Sequence, residues 1–385
     1  MKILGYIIVI LIAIGVAMSL TDSPSSPQQD FSDTGSQTPD SSGSSLGSYY
    51  DQLTPFGKKL YESFIPTVSE CDDEFTITNV NVEDFKGSIR NVAVALQYDH
   101  PEYFWFTGGL AYTIYKSPAE ETGKIVIEPT YYDYAEGFFS AESQQEKLQK
   151  EIKRVAELAK NHSSDDYERM IFVHDYLIEN ARYDHDGLDE YYKTNHAPSC
   201  EYIFSAYGCL VNGDTVCSGY AKAYQLVMRE LGYDCIYVVG DAGEAHGWNC
   251  VYIDGEGYYV DITWDDYDMD KEAPAYNYAF ITENDLEKTH TIDTEFAPPT
   301  CNATDYNYFL YHGYYTDTYD FDTASEILSR QSDKKSMHIK FGSEAEMEKA
   351  YKDLVKSGKC REIPGLGDIE YTSKNKHHMT VTFFK

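Results

Sequence analysis

Along the chain the apolar positions switch between two periods. "YYDQLTPFGKKLYESF" (49–64) and "DFKGSIRNVAVALQYDH" (84–100) repeat every three to four residues and predict helices. "EFTITNV" (74–80), "YFWFTGGLAYTIY" (103–115) and "KIVIEPTYYDY" (124–134) read as strands. Two longer helices follow in "SAESQQEKLQKEIKRVAELAKNH" (140–162) and "DDYERMIFVHDYLIENARY" (165–183). Between 216 and 232, "VCSGYAKAYQLVMRELG" places apolar residues at helical spacing and stops at Gly232. Cys235–Val239 is an apolar strand. A further strand opens at His246, turns at Asp254–Gly255, a strong hairpin signal, and returns antiparallel over 257–264. The last segment reads helix, strand, helix, strand through "TASEILSRQ", "SMHIKFG", "SEAEMEKAYKDLVKSG" and "HHMTVTFF". The whole predicts an α+β protein.

Composition shifts divide the chain. Residues 1–20 hold an uncharged apolar run, Ile3–Leu20, at the lower limit of a membrane span and longer than an ordinary signal-peptide core. With Lys2 before it, the run predicts an N-terminal anchor with the rest of the chain outside the cell membrane. Ala17-Met18-Ser19 offers cleavage and release near Ser19 as the alternative. Residues 21–48 lack Lys and Arg, are dominated by Ser, Pro, Asp, Gly and Gln, and read as a flexible linker. An N-terminal α+β region over 49–145, a central domain over 146–300 and a small C-terminal α+β appendage over 301–385 complete the division.

The 64 acidic against 31 basic residues give a formal net charge of −33, a surface that repels phosphate backbones and excludes nucleic acid as a partner. The 36 tyrosines offer flat apolar area with a polar tip, suited to peptide or sugar contact as well as to ordinary packing. None of the eight cysteines forms a C-x-x-C, which argues against zinc; the sequence does not choose a pairing among them.

One cysteine is placed unlike the others. With Asp214 or Thr215 as the cap, Cys217 falls in the first turn of its helix, where unpaired amides and the helix dipole favour a thiolate and can hold an oxyanion. Downstream, a two-residue turn at Asp254–Gly255 would set Asp261 opposite Trp248, on the face of His246 and diagonal to it, within reach of a His–Asp hydrogen bond. A wider turn would need a bulge. Asn212 is an oxyanion candidate or a plain turn former, and Trp248 a site wall or a core aromatic. "DDYDMD" (265–270) has acidic spacing like a calcium loop, but Lys271 and Asn277 stand where Gly and Glu are required, so it reads as a solvated acidic loop. His196 and Cys200 in "NHAPSC" lack a helix start, and His174 falls on an apolar helix face as a structural residue.

"VCSGYAKAYQLVMRELG" and "HGWNCVYIDGEGYYVDITWDD", in that order, resemble the core of the transglutaminase-like superfamily: a Cys-Gly-Tyr-Ala helix start, His-Ala-Trp-Asn, then Asp before Thr-Trp. The resemblance covers roughly 165–270. Gly247 stands where Ala is usual and Ser218 where Glu is common. The resemblance implies a papain-like fold, with the cysteine helix packed on an antiparallel sheet, and a triad of Cys217 as nucleophile, His246 as general base and acid, and Asp261 as its orienting partner. No cofactor and no metal are expected. The implied reaction is amide hydrolysis of a peptide or protein substrate, including cell-surface or wall-associated ones, through a thioester. Water as the abundant acceptor outside a cell favours it over crosslinking by acyl transfer to an amine. A non-enzymatic peptide- or wall-binding module is the rival from another class, and an intact set of all three residues counts against it.

Overall fold

The computed structural model describes residues 14–15, 28–31, 48–117, 119–132, 138–194, 201–266, 274–296 and 298–385. The chain divides into two units, Met1–Glu151 with Asp186–Tyr207, and Ile152–His185 with Gly208–Lys385. In the first, β1 (Ile14–Gly15), β2 (Gln28–Asp30), β3 (Phe75–Asn81), β4 (Phe106–Tyr115) and β5 (Thr122–Tyr131) form one sheet in the order β1-β4-β5-β3-β2. Helices α1 (Pro55–Glu70) and α2 (Val82–Asp99) flank β3 in sequence. Thr54 caps α1 by accepting the Gly57 N–H, with Pro55 at the first helical position, where its missing N–H costs nothing. Asn81 caps α2 through the Glu83 and Asp84 amides. Trp105 closes the core of this unit, its indole N–H donating to the Val68 carbonyl at 2.8 Å.

One N-terminal expectation is corrected here. No helix among the described residues is long and apolar enough to cross a membrane. Within the apolar run, Ile14 and Gly15 are extended instead, pairing in parallel with Tyr112 and Thr113, so the run is not one continuous helix. This overturns the membrane anchor and the location inferred from it; the rest of the run, with Ala17–Ser19, lies outside the described residues. Inside the span read as a linker, Gln28–Asp30 pairs with Thr76–Thr78. Phe31, a sizeable apolar residue in that span, meets the Phe56 ring at 5.7 Å beneath the Lys59 ammonium.

Helix α3 (Phe138–His162) carries the chain into the second unit, where α4 (Asp166–Asn180) and β6 (Arg182–Tyr183) follow; α5 (His185–Thr194) returns it to the first. The second unit resumes with β7 (Asp214–Thr215), which pairs in parallel with β6, and α6 (Cys217–Leu231). Helix α6 buries Tyr220, Ala223, Tyr224, Val227 and Met228, and ends on Gly232 at φ +92°, a left-handed cap that favours glycine. Strands β8 (Cys235–Asp241), β9 (Ala245–Ile253) and β10 (Glu256–Val260) then form an antiparallel meander, with Asp254 and Gly255 both at positive φ in the tight turn. The register pairs Val260 with Asn249. The returning strand stops there, and not at Trp264, because Asp261 accepts the Trp264 amide and starts a helical turn, α7 (Ile262–Asp265). After α8 (Glu283–Leu286), β11 (Thr291–Ile292) joins the far edge of β8, giving the order β10-β9-β8-β11.

Helix α9 (Tyr308–Tyr311) leads to β12 (Tyr315–Thr316), α10 (Phe321–Ser329), β13 (Ser336–Phe341), α11 (Glu344–Ala350), β14 (Tyr371–Asn375) and β15 (Thr380–Phe384). The strands form a second sheet in the order β12-β13-β15-β14. It belongs to the same unit as the cysteine helix and holds the segment that follows α7. Ser336 donates to the Pro274 carbonyl, Thr380 to Asn277 Oδ1 at 2.6 Å, and Tyr308 stacks on Tyr276 with ring centroids 3.7 Å apart.

Gly240 is the close approach on which β11 depends: a Cβ there would lie 2.1 Å from the Thr291 carbonyl oxygen and 2.8 Å from the Trp248 ring. Gly240→Ala should therefore destabilise the protein by roughly 1–3 kcal/mol through overpacking. Gly87→Ala, on the exposed face of α2 with nothing within 4 Å of the new Cβ, should stabilise by about 0.5–1 kcal/mol. Thermal denaturation of the two variants checks the sign of each.

Candidate active site

Val216, not Asp214 or Thr215, occupies the N-cap of α6, and it makes no side-chain cap hydrogen bond. Asp214 and Thr215 are drawn into β7 instead. Cys217 is thus the first helical residue, half-buried, at a helix start that no side chain caps. A missing cap costs about 1 kcal/mol, and it leaves the amide end of the helix for an anion. The other described cysteines are differently placed. Cys209, Cys235, Cys250 and Cys301 are buried free thiols, with Cys250 and Cys301 Sγ 3.3 Å apart. Burial, with Asp73 and Asp72 nearby, pushes the Cys71 thiol up to about 11. Cys200 and His196 lie outside the described residues.

His246, on β9 opposite Gly240, is 8% exposed. Its Nε2 lies 2.8 Å from Asp261 Oδ2, and the Cys217 side chain is a further neighbour that favours the charged ring. Burial disfavours the imidazolium, but the charge and hydrogen bond of Asp261, helped by Cys217, outweigh it and push His246 up to about 10. The three residues are therefore brought together, through the hairpin register expected from Asp254–Gly255. Asp261 is fully enclosed; burial works against its charge, while His246 and a second histidine hold its carboxyl below the usual range.

That second histidine, His290, gave no sequence signal. It stands alone before the two-residue β11, whose pairing to β8 brings its Nε2 to 3.0 Å from the same Asp261 oxygen. Asn249, quoted in the motif without a role, is the clamp between hairpin and helix: its amide donates to the Ala221 carbonyl of α6 and the Ile236 carbonyl of β8. Trp248 is buried, its ring 5.9 Å from His246 and edge-on to His290, with no hydrogen-bond partner for its indole N–H. Asn212 ends a π-helical turn, exposed. Gly247 is explained by Tyr237: a Cβ at 247 would lie 2.5 Å from the Tyr237 hydroxyl.

Asp265 and Asp266 are not solvated, and both are buried. The turn into α7 directs them inward, where Asp265 meets His174 Nε2 at 3.3 Å and the Tyr278 amide at 2.9 Å, and Asp266 accepts from Tyr220. His174 also meets Asp175 at 2.9 Å; against the burial penalty, the two acids push it up to about 9. Residues 267–273 of the acidic loop lie outside the described residues. The donor atoms of His246, Asp261 and His290 lie within 4.8 Å of one another, a spacing a divalent cation could accept. The contacts of 2.8 and 3.0 Å are nevertheless those of N–H···O hydrogen bonds, and the reading below uses them as such.

This placement sets an order of thiol reactivity. At neutral pH iodoacetamide should alkylate Cys217 well ahead of Cys71, which is comparably accessible but held as a thiol. Peptide-resolved mass spectrometry of the native protein measures both rates; equal rates would remove His246 and the helix start as activators.

Residues 153–262, which span Cys217, His246 and Asp261, match the family model of the Transglutaminase-like superfamily. No curated protein matches the chain. Among solved structures it is similar to a crystal structure of a TGase, at 13% identity over 49% of this chain and 51% of that one, with a TM-score of 0.28. It is also similar to the crystal structure of a candidate cysteine protease from Cytophaga hutchinsonii, at 12% identity over 48% of this chain and 66% of that one, with a TM-score of 0.25. The chain thus spans about half the length of the TGase, and overlaps this low define no shared fold. The family match stands on its own: residues 153–262 form a domain of the transglutaminase-like superfamily.

Proposed function

We propose that this protein is a cysteine-dependent amide-bond hydrolase acting on peptide or protein substrates, with Cys217 as nucleophile, His246 as acid and base, and Asp261 as the partner that holds the imidazole. The observation that carries the reading is a single imidazole held by a buried carboxylate at 2.8 Å, with the thiol at the start of α6 as its further neighbour. Raised to about 10 by Asp261 against the cost of burial, His246 holds its proton at neutral pH, ready for the leaving group.

The thiolate attacks the amide carbonyl, and the oxyanion that forms is met by the amide end of α6. The C–N bond breaks as His246 gives its proton to the leaving amine, producing a thioester on Cys217. Neutral His246 then takes a proton from water, whose oxygen attacks the thioester. Collapse releases the carboxylic acid and returns the thiolate–imidazolium pair. Water is the acceptor at the highest concentration, and an amine in its place would give acyl transfer.

Cys217→Ala should abolish turnover of any peptide found by library screening. Asp261→Asn should reduce it by roughly a hundred- to ten-thousand-fold with circular dichroism unchanged, since the amide no longer supports the imidazolium. The pH profile gives a second check. His246 is raised, so the protonated acid is complete at neutral pH and lost as pH rises through about 10. In Asp261→Asn that limb should fall toward the ordinary imidazole range near 6.5. A primary amine added during turnover separates the acceptors: an amide product exceeding the free acid at millimolar amine would make the protein an acyltransferase.

A further inference from the structure

We propose that His290 is a positioning residue of this site, donating its Nε2–H to the carboxylate oxygen that also holds His246 and so fixing both the ionisation and the aim of Asp261. The proposal rests on the Cys217–His246–Asp261 reading above and adds a fourth member that this chemistry does not itself require.

The hydrogen bonds around Asp261 leave little freedom. Oδ1 accepts the Trp264 backbone N–H at 3.2 Å, while Oδ2 accepts from His246 at 2.8 Å and His290 at 3.0 Å. An ionised carboxylate only accepts, so both imidazoles present Nε2–H. The other side of His290 fixes its tautomer. Nδ1 lies 2.8 Å from Thr289 Oγ1, which lies 3.2 Å from the Tyr278 hydroxyl. As the Nε2–H tautomer, His290 accepts at Nδ1, and Thr289 then donates to it and accepts from Tyr278. The competing donation, to the Leu286 carbonyl, is longer at 3.4 Å. Protons thus point one way along Tyr278, Thr289, His290 and Asp261. The His290 ring is held among Trp264 at 4.7 Å, Trp248 at 5.0 Å and Tyr278 at 5.4 Å, and is 3% exposed.

A second N–H donor on Oδ2 has a definite electrostatic effect. It disperses part of the carboxylate charge that would otherwise be borne by His246 alone. Without it the buried anion left after His246 loses its proton is less stabilised, so the last proton of the His246–Asp261 pair is harder to remove, whichever of the two carries it. The titratable groups facing this pair are Cys217 from α6, His290 before β11, Asp265 from α7 with its partner His174, and Tyr278. Of these titratable groups, only His290 is altered in the test. Simple loosening of the packing would act oppositely, weakening the His246–Asp261 contact and making the proton easier to remove.

The rate of Cys217 alkylation by iodoacetamide, followed by mass spectrometry from pH 5 to 11, reads this proton without a known substrate. The full-length protein should show a step near pH 10, where His246 deprotonates. In His290→Leu the step should move up by about one pH unit, the worth of one hydrogen bond to a charged group. His290→Gln, whose amide can occupy the place of Nε2–H, should restore the original step. Thr289→Val, near-isosteric but unable to donate to Nδ1, should move it up by less, and decides the matter in the same sense if circular dichroism shows His290→Leu unfolded. A step that stays in place or moves down in these variants overturns the role of His290. A parent protein in which Cys217 reacts no faster than Cys71 overturns the triad itself, and the proposal with it.

Discussion

Everything at this site depends on keeping one carboxylate charged where water does not reach it. Asp261 is 1% exposed, and an isolated anion there would cost several kcal/mol or take up a proton. It remains an anion because each oxygen is occupied: Oδ1 by the Trp264 amide, Oδ2 by two imidazoles. Hydrogen bonds to a charged group contribute about 1.5–3 kcal/mol each, so three of them are on the scale of the burial penalty. The same bonds do the chemistry of orientation. Capping α7 with Oδ1 turns Oδ2 toward β9, and β9 is where His246 stands.

The surrounding fold can be understood as the supply of these partners from distant parts of the chain. His246 comes from the middle of the meander, the Trp264 amide from the turn after it, and His290 from beyond α8. The last of these needs Gly240 on β8, where Thr291 comes too close for any side chain. It also needs the segment from 274 onward to be held, which the C-terminal sheet does through Ser336, Thr380 and the Tyr276–Tyr308 stack. A sheet that reads in sequence as an appendage thereby helps to hold the segment that brings His290 to Asp261.

What was legible in the sequence follows from which interactions are local. The positions of Cys217, His246 and Asp261 could be read because a helix start and a two-residue hairpin set their own geometry: Asp254–Gly255 at positive φ determines the register, and the register determines the diagonal. The α+β architecture likewise follows from the periods of the apolar residues. His290 was not legible, because its position depends on a pairing of two residues across β8. Asp265 and Asp266 were misread as solvated since acidic runs usually are; a helical turn begun by Asp261 carries them inward, where His174 and Tyr220 wait. The apolar N-terminal run was misread for a related reason. Hydropathy describes a membrane span and a sheet strand alike, and Ile14–Gly15 pairs as a strand with Tyr112 and Thr113.

The short helix α7 gathers the costliest groups in this unit. Asp261 and Asp265 stand four residues apart on it, both buried and both acidic, where like charges repel. Each is answered by its own histidine from a different element, His246 from β9 and His174 from α4, both pushed above the ordinary imidazole range. The two pairs have different surroundings. His174 itself has no exposure and is bonded on both sides by acids, Asp175 and Asp265, for which it serves as a counter-ion. His246 has one carboxylate and a thiol as neighbours, so its proton has a second place to be. A buried imidazolium flanked by two acids is structural; one flanked by an acid and a sulfur can exchange its proton with a substrate. The same chemistry, built twice around four residues, thus yields one group that holds the turn in place and one that the held turn makes reactive.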